Sequence, residues 1–128
     1  YERAIDEAGG IDIQILGIGG NGHIGFNEPA DALEAEAHVA VLQDETRAAN
    51  AGLFGGDITR VPSHALSMGM AAILQAREIV LMATGEEKSE AVARMVDGPI
   101  TTQLPASFLQ MHTRVTVMLD HGAARRLA

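Results

Sequence analysis

Residues 11–18, IDIQILGI, form a nearly continuous apolar run rich in β-branched side chains, and glycines follow at 17, 19 and 22. A run of that length and character predicts a strand buried on both faces. Glycines at its end predict a loop at the carboxyl edge of a sheet, where ligands of open α/β folds bind. The alternation then repeats. Residues 38–43, HVAVLQ, read as a second strand, and DETRAANAGLF as a helix that Asp44 caps and Gly52 ends or interrupts. VPSHALSMGMAAILQA gives a short extended piece and then a helix over about 68–76. Residues 78–84 are a strand. GEEKSEAVARMVDG is an amphipathic helix with Ala91, Val92, Met95 and Val96 on its apolar stripe, stopped by Gly98 and Pro99. Pro105 opens a helix over PASFLQMH, 114–120 is a last strand and HGAARRLA a last helix. Strands alternating with helices predict an α/β fold: a Rossmann-like parallel sheet with helices on both faces.

The chain begins YERAIDEAGG, which reads as the end of a helix closed by Gly9 and Gly10 ahead of a strand. Its 128 residues therefore read as the C-terminal portion of a single domain whose N-terminal strands are absent. A sheet lacking strands has an open edge, which favours self-association into a homo-oligomer. The formal net charge of -8 disfavours nucleic acid and anionic membrane surfaces as partners, and no apolar run reaches the length of a bilayer span. With no cysteine, thiolate metal sites are excluded and a cytoplasmic location is expected.

Gly17, Gly19 and Gly22 spell G-x-G-x-x-G after a strand, and Asp44 lies where the ribose-binding acid of a dinucleotide fold would stand. Such a turn must feed a helix whose N-terminus holds the pyrophosphate. The residues after Gly22 are His-Ile-Gly-Phe-Asn-Glu-Pro, and Gly25 and Pro29 oppose a helix there. A loop is predicted instead. It carries His23, Asn27 and Glu28 between the apolar anchors Ile24 and Phe26. A histidine moves protons near neutral pH, and a carboxylate beside it orients the ring and stabilises its charged form.

The segment GIGGNGHIGFNEP resembles the signature of the glucosamine-6-phosphate deaminase/isomerase family. VLQDETRAAN, VPSHALSMGMAAIL, ATGEEKSEAV and PASFLQMH resemble further family segments in the same order. The resemblance implies a deaminase acting on a small-molecule hexosamine phosphate: ring opening, a proton shift between C2 and C1, and release of ammonia to leave fructose 6-phosphate. It implies no redox cofactor and no metal. Carried over, His23 is the acid/base of ring opening, Glu28 its carboxylate partner, and Lys88 a ligand of the substrate phosphate. Asn21 completes the His23 arrangement, and the backbone at Gly19 and Gly22 shapes the loop. The alternatives from the same superfamily are a sugar-phosphate isomerase, a 6-phosphogluconolactonase-like hydrolase or a non-catalytic effector-binding domain.

Three features depart from the family pattern. Asn21 stands where many members carry aspartate, and an amide holds a ring without supplying charge. Gly52 stands where an arginine usually clamps the phosphate. The resemblance covers roughly the second half of a member, so the phosphate loop and the aspartate that moves the C2 proton are expected N-terminal to it, and the 128 residues alone are expected to be inactive. The acidic, apolar ADALEAEAHVA predicts no anionic effector site after the loop. His64, His112 and His121 are read as structural or exposed, and Asp12 and Asp120 as ordinary strand-end residues.

Overall fold

The computed structural model describes residues 1–127. Helix α1 (Glu2–Glu7) ends as expected at Gly9 and Gly10, both of which take positive φ. Strand β1 (Ile13–Leu16) follows and pairs in parallel with β4 (Glu78–Ala83), which pairs in parallel with β5 (Val115–Leu119). The sheet order is β1-β4-β5, so the chain leaves β1 and returns beside it only after more than sixty intervening residues that build the site.

The parallel register puts Leu16, Ile79, Leu81 and Ala83 on one face. Helix α3 (Met70–Leu74), helix α4 (Ser89–Asp97) and the 3-10 helix Pro105–Met111 cover that face, with Ile73, Val92 and Ala106 fully buried against it. The opposite face is uncovered among the described residues: Ile13 is 57% and Ile15 66% exposed, and Met82 and Met118 are exposed beside them. The parallel α/β sheet flanked by helices is therefore present, but β1 is buried on one face, not two. Its run is apolar on both faces because both suit a covered position; only tertiary packing decides which is covered.

Other expectations change in detail. The 38–43 segment is a strand, β2 (His38–Val41), but lies outside the parallel sheet. It pairs antiparallel with β3 (His64–Ser67) in a separate two-stranded ribbon. Helix α2 (Asp44–Asn50) uses Gln43, not Asp44, as its N-cap, and runs into a 3-10 turn (Ala51–Phe54) that contains Gly52 and ends at left-handed Gly55. PASFLQMH is 3-10 rather than α, and 121–126 forms turns instead of a last helix. With only six residues and a helix-unfriendly glycine at 122, that segment is too short to sustain a helix without docking.

Candidate active site

The chain after β1 does not enter a helix. Gly22 takes φ +85 and Gly25 φ +58, and an isolated bridge joins Ile24 to Asn27. The loop is closed upon itself, with the Gly19 N–H donating to the His23 carbonyl at 3.0 Å and the Gly22 N–H to the Gly19 carbonyl at 2.9 Å. The helix N-terminus that a pyrophosphate needs is absent from this turn.

Two anchors fix the loop against its surroundings. Ile24 is fully buried in the core. Asn27, 2% exposed, donates from Nδ2 to the carbonyls of Ile24 and Met68, both at 2.9 Å. The Ser67 hydroxyl at the end of β3 accepts from the Phe26 N–H at 3.0 Å. Asn27 is thus a strut that ties the loop to the ribbon. Its amide nitrogen bonds neither His23 nor Glu28.

Asn21, His23 and Glu28 do come together. Asn21 Nδ2 donates to Glu28 Oε2 at 2.8 Å and to Gln43 Oε1 at 3.2 Å. Gln43 Nε2 donates to the Pro29 carbonyl at 3.0 Å, which leaves the Gln43 amide oxygen facing Asn21. With its nitrogen facing two acceptors, Asn21 presents its oxygen to His23, 2.8 Å from Nδ1. An amide oxygen only accepts, so the neutral ring carries its proton on Nδ1 and keeps a lone pair on Nε2. Glu28 Oε2 lies 3.6 Å from Nδ1 and Thr46 Oγ1 3.3 Å from it. Asparagine at 21 therefore bridges the carboxylate and the ring. Gln43 and Thr46 are members of this network that the sequence reading missed; their only signal was their place at the start of a helix that follows a strand.

His23 lines a cleft of about 580 Å³ together with Gly19, Gly20, Asn21, Glu45, Thr46, Asn50, Ser67 and Lys88. That is the size of a small-molecule site. Glu28 stands behind Asn21, off the cleft wall, with its side chain 9% exposed. Lys88 reaches the cleft from the N-cap position of α4, after a 3-10 turn (Glu86–Lys88) that opens on Gly85 at φ +94. Among the described residues no carboxylate forms a salt bridge with it, and of those nearby Glu86 pairs with Arg125 and Glu90 with Arg126. Gly52 does not line the cleft, and the Cβ position there faces open space. Among the described residues no group of His, Asp and Glu is arranged to hold a metal ion. His112 is structural, its Nε2 donating to the Ala76 carbonyl at 2.7 Å while Nδ1 accepts from the Arg114 N–H.

Burial holds the His23 pKa below the ordinary 6.5, and the Lys88 charge adds to this, while Glu28 and Glu45 oppose it. Between the depressed folded value and the ordinary one, the unfolded chain binds a proton that the folded chain does not. Stability therefore rises with pH through that window and is lost as pH falls across it. The same balance predicts variant behaviour. Glu28→Gln removes a negative charge that favours imidazolium and should lower the His23 pKa further; Lys88→Met should raise it. Titration of the His23 ring by NMR checks both signs, and a shift in either opposite direction would contradict this electrostatic account.

A family profile described as glucosamine-6-phosphate isomerases/6-phosphogluconolactonase matches residues 1–118. The chain is 53% identical over 128 residues to glucosamine-6-phosphate deaminase 2 of Bacillus subtilis (strain 168), covering 99% of this chain and 51% of that protein. It is 58% identical over 127 residues to glucosamine-6-phosphate deaminase of Rhodopirellula baltica, covering 99% and 50%. A solved structure of a monomeric glucosamine-6-phosphate deaminase superposes with a TM-score of 0.92 at 46% identity, over 98% of this chain and 52% of the other. A 6-phosphogluconolactonase from Trypanosoma cruzi shares the fold with a TM-score of 0.69 at 24% identity, over 93% and 42% of the two chains. The chain spans about half the length of the curated relatives it matches.

Proposed function

Because the chain belongs to the family of glucosamine-6-phosphate isomerases and 6-phosphogluconolactonases, we propose that it contributes the ring-opening and phosphate-holding side of a glucosamine-6-phosphate deaminase site. The observation that carries this reading is the His23–Asn21–Glu28 network, which shares one cleft with Lys88. His23 Nε2 takes the proton of the anomeric hydroxyl and returns one to the ring oxygen, so the pyranose opens to the aldehyde. The transient imidazolium keeps its Nδ1–H on the Asn21 oxygen, and the Glu28 charge reaches the ring both directly and through the Asn21 amide. Depression of the ring pKa keeps Nε2 free to accept a proton at neutral pH. A base beyond these residues moves the C2 proton to C1. With a nitrogen proton passing to O1, the C2 amine becomes an imine, and water hydrolyses that imine to ammonia and the C2 ketone of fructose 6-phosphate.

Lys88 supports the phosphate assignment by position and charge. Its ammonium lacks a carboxylate partner among the described residues, and the first turn of α4 adds N–H groups and a favourable dipole. Lys88→Met in the intact protein should raise KM for glucosamine 6-phosphate about ten- to hundredfold, the range for losing a hydrogen bond to a charged group. The corresponding change in kcat should be small, and steady-state kinetics measures the split. Unaltered KM would remove Lys88 from the phosphate site. Ammonia release from glucosamine 6-phosphate, compared with hydrolysis of 6-phosphogluconolactone, tests the reaction itself: the amino sugar should be the substrate turned over.

A further inference from the structure

We propose that Asp120 is a positioning residue for anion binding at Lys88, acting through the Gly85 turn rather than by touching the ligand; the inference rests on the reading of Lys88 given above. Asp120 follows β5 directly, and both its carboxylate oxygens lie 3.1 Å from the Gly85 N–H. Oδ1 also accepts from the Ala123 N–H at 2.7 Å. These N–H groups, Ala123 first and Gly85 next, hold the carboxyl below the usual aspartate range, so it stays a charged acceptor at neutral pH.

Gly85 is a position where the chain has few other constraints, because its φ of +94 is open only to glycine and glycine is conformationally free. The three-residue 3-10 turn Glu86–Lys88 then delivers Lys88 and the start of α4. A flexible turn needs an external hold, and residues 120–126 supply it at several points. A Cβ added at Gly122 would lie 3.0 Å from the Glu86 nitrogen and 3.2 Å from the Gly85 carbonyl carbon, so the two backbones are in close contact. Arg125 pairs with Glu86 and Arg126 with Glu90 at 3.3 Å. Ala123, fully buried, anchors the segment in the core. Asp120 is the centre of this clasp, because its carboxylate is the acceptor of the N–H of the glycine on which the turn pivots.

The test is titration of the isotope-labelled intact protein with inorganic phosphate, read by NMR at Gly85 and Lys88, alongside thermal unfolding and the His23 ring titration. Asp120→Ala should weaken phosphate binding about tenfold, the scale of one charge-assisted hydrogen bond, and should move the His23 titration in the same upward direction as Lys88→Met, to a smaller extent, because the Lys88 charge is displaced and not removed. Asp120→Asn keeps an acceptor oxygen and should recover part of that loss. Gly122→Ala displaces the Gly85 turn while leaving the carboxylate in place, and should weaken binding as well if Asp120→Ala fails to fold. A lowered unfolding midpoint with wild-type phosphate affinity would reduce Asp120 to a structural residue and overturn the proposal. Lys88→Met separates the two readings. If it abolishes phosphate binding while both Asp120 variants bind normally, the positioning role alone is wrong. If Lys88→Met binds phosphate as the wild type does, the site itself is misplaced and the proposal falls with it.

Discussion

Replacing His23 with glutamine in the intact protein is expected to lower ammonia release from glucosamine 6-phosphate by about 10² to 10⁴, the usual contribution of general acid–base assistance. Glutamine is the informative replacement because it separates the two duties of the ring. Its amide N–H can still donate to the Asn21 oxygen, as Nδ1 does across 2.8 Å, so the link to Glu28 can persist. What it cannot supply is an atom that takes and returns a proton at the Nε2 position. Circular dichroism and the unfolding midpoint should stay near wild type while kcat/KM falls. The loss should not be total, because the cleft would still bind and orient the sugar phosphate. Unchanged turnover in His23→Gln would remove this residue from the proton transfer.

Gly19→Ala should be nearly as damaging, although it alters no titratable group. A Cβ at 19 would fall on the His23 ring, far inside van der Waals contact with Cε1 and Nδ1. The ring has little room to give way. Its Nδ1 is held by Asn21 and its backbone N–H by the same Asn21 oxygen at 3.2 Å, and the following Ile24 is fully buried. Relief requires either the loop to open at its 3.0 Å Gly19–His23 bond or the ring to leave the network. Either outcome costs orientation at the reacting atom, where small misplacements lower rate by about 10²-fold. The diagnostic pattern is a folded protein, a large fall in kcat, and a His23 ring whose NMR titration moves toward the ordinary histidine value as it swings into solvent. Wild-type kcat in Gly19→Ala would mean that the close packing of glycine against ring is dispensable. Gly22 is a different case. Its positive φ and its contact with the Leu104 side chain make substitution there a matter of fold stability as much as of the site.

Much of the candidate site was legible because its parts lie close together in the chain. Asn21, His23 and Glu28 fall within eight residues, and the loop that brings them together is built from glycines and a proline whose backbone effects are local. The failure of the dinucleotide reading was legible for the same reason. Asn27 shows the limit: it stands next to Glu28 in the chain, yet its amide turns inward to bond Met68, 41 residues away. Gln43 and Thr46 enter from another element, and nothing local in VLQDET marks them as partners of the ring.

By itself the sequence determined most of the strands and helices as local units, the parallel α/β class, and the glycine-built loop with the candidate residues it carries, since periodicity and backbone preference act over a few residues. The tertiary structure alone decided that β2 leaves the main sheet to pair with β3, that one face of β1 is covered, and that Asn21 carries the Glu28 charge to the ring. It also decided that Asp120, by sequence an ordinary strand end, grips the turn beneath Lys88. Each of these depends on which distant backbone groups meet, and a pairing between remote donors and acceptors leaves no periodic trace in the chain that makes it.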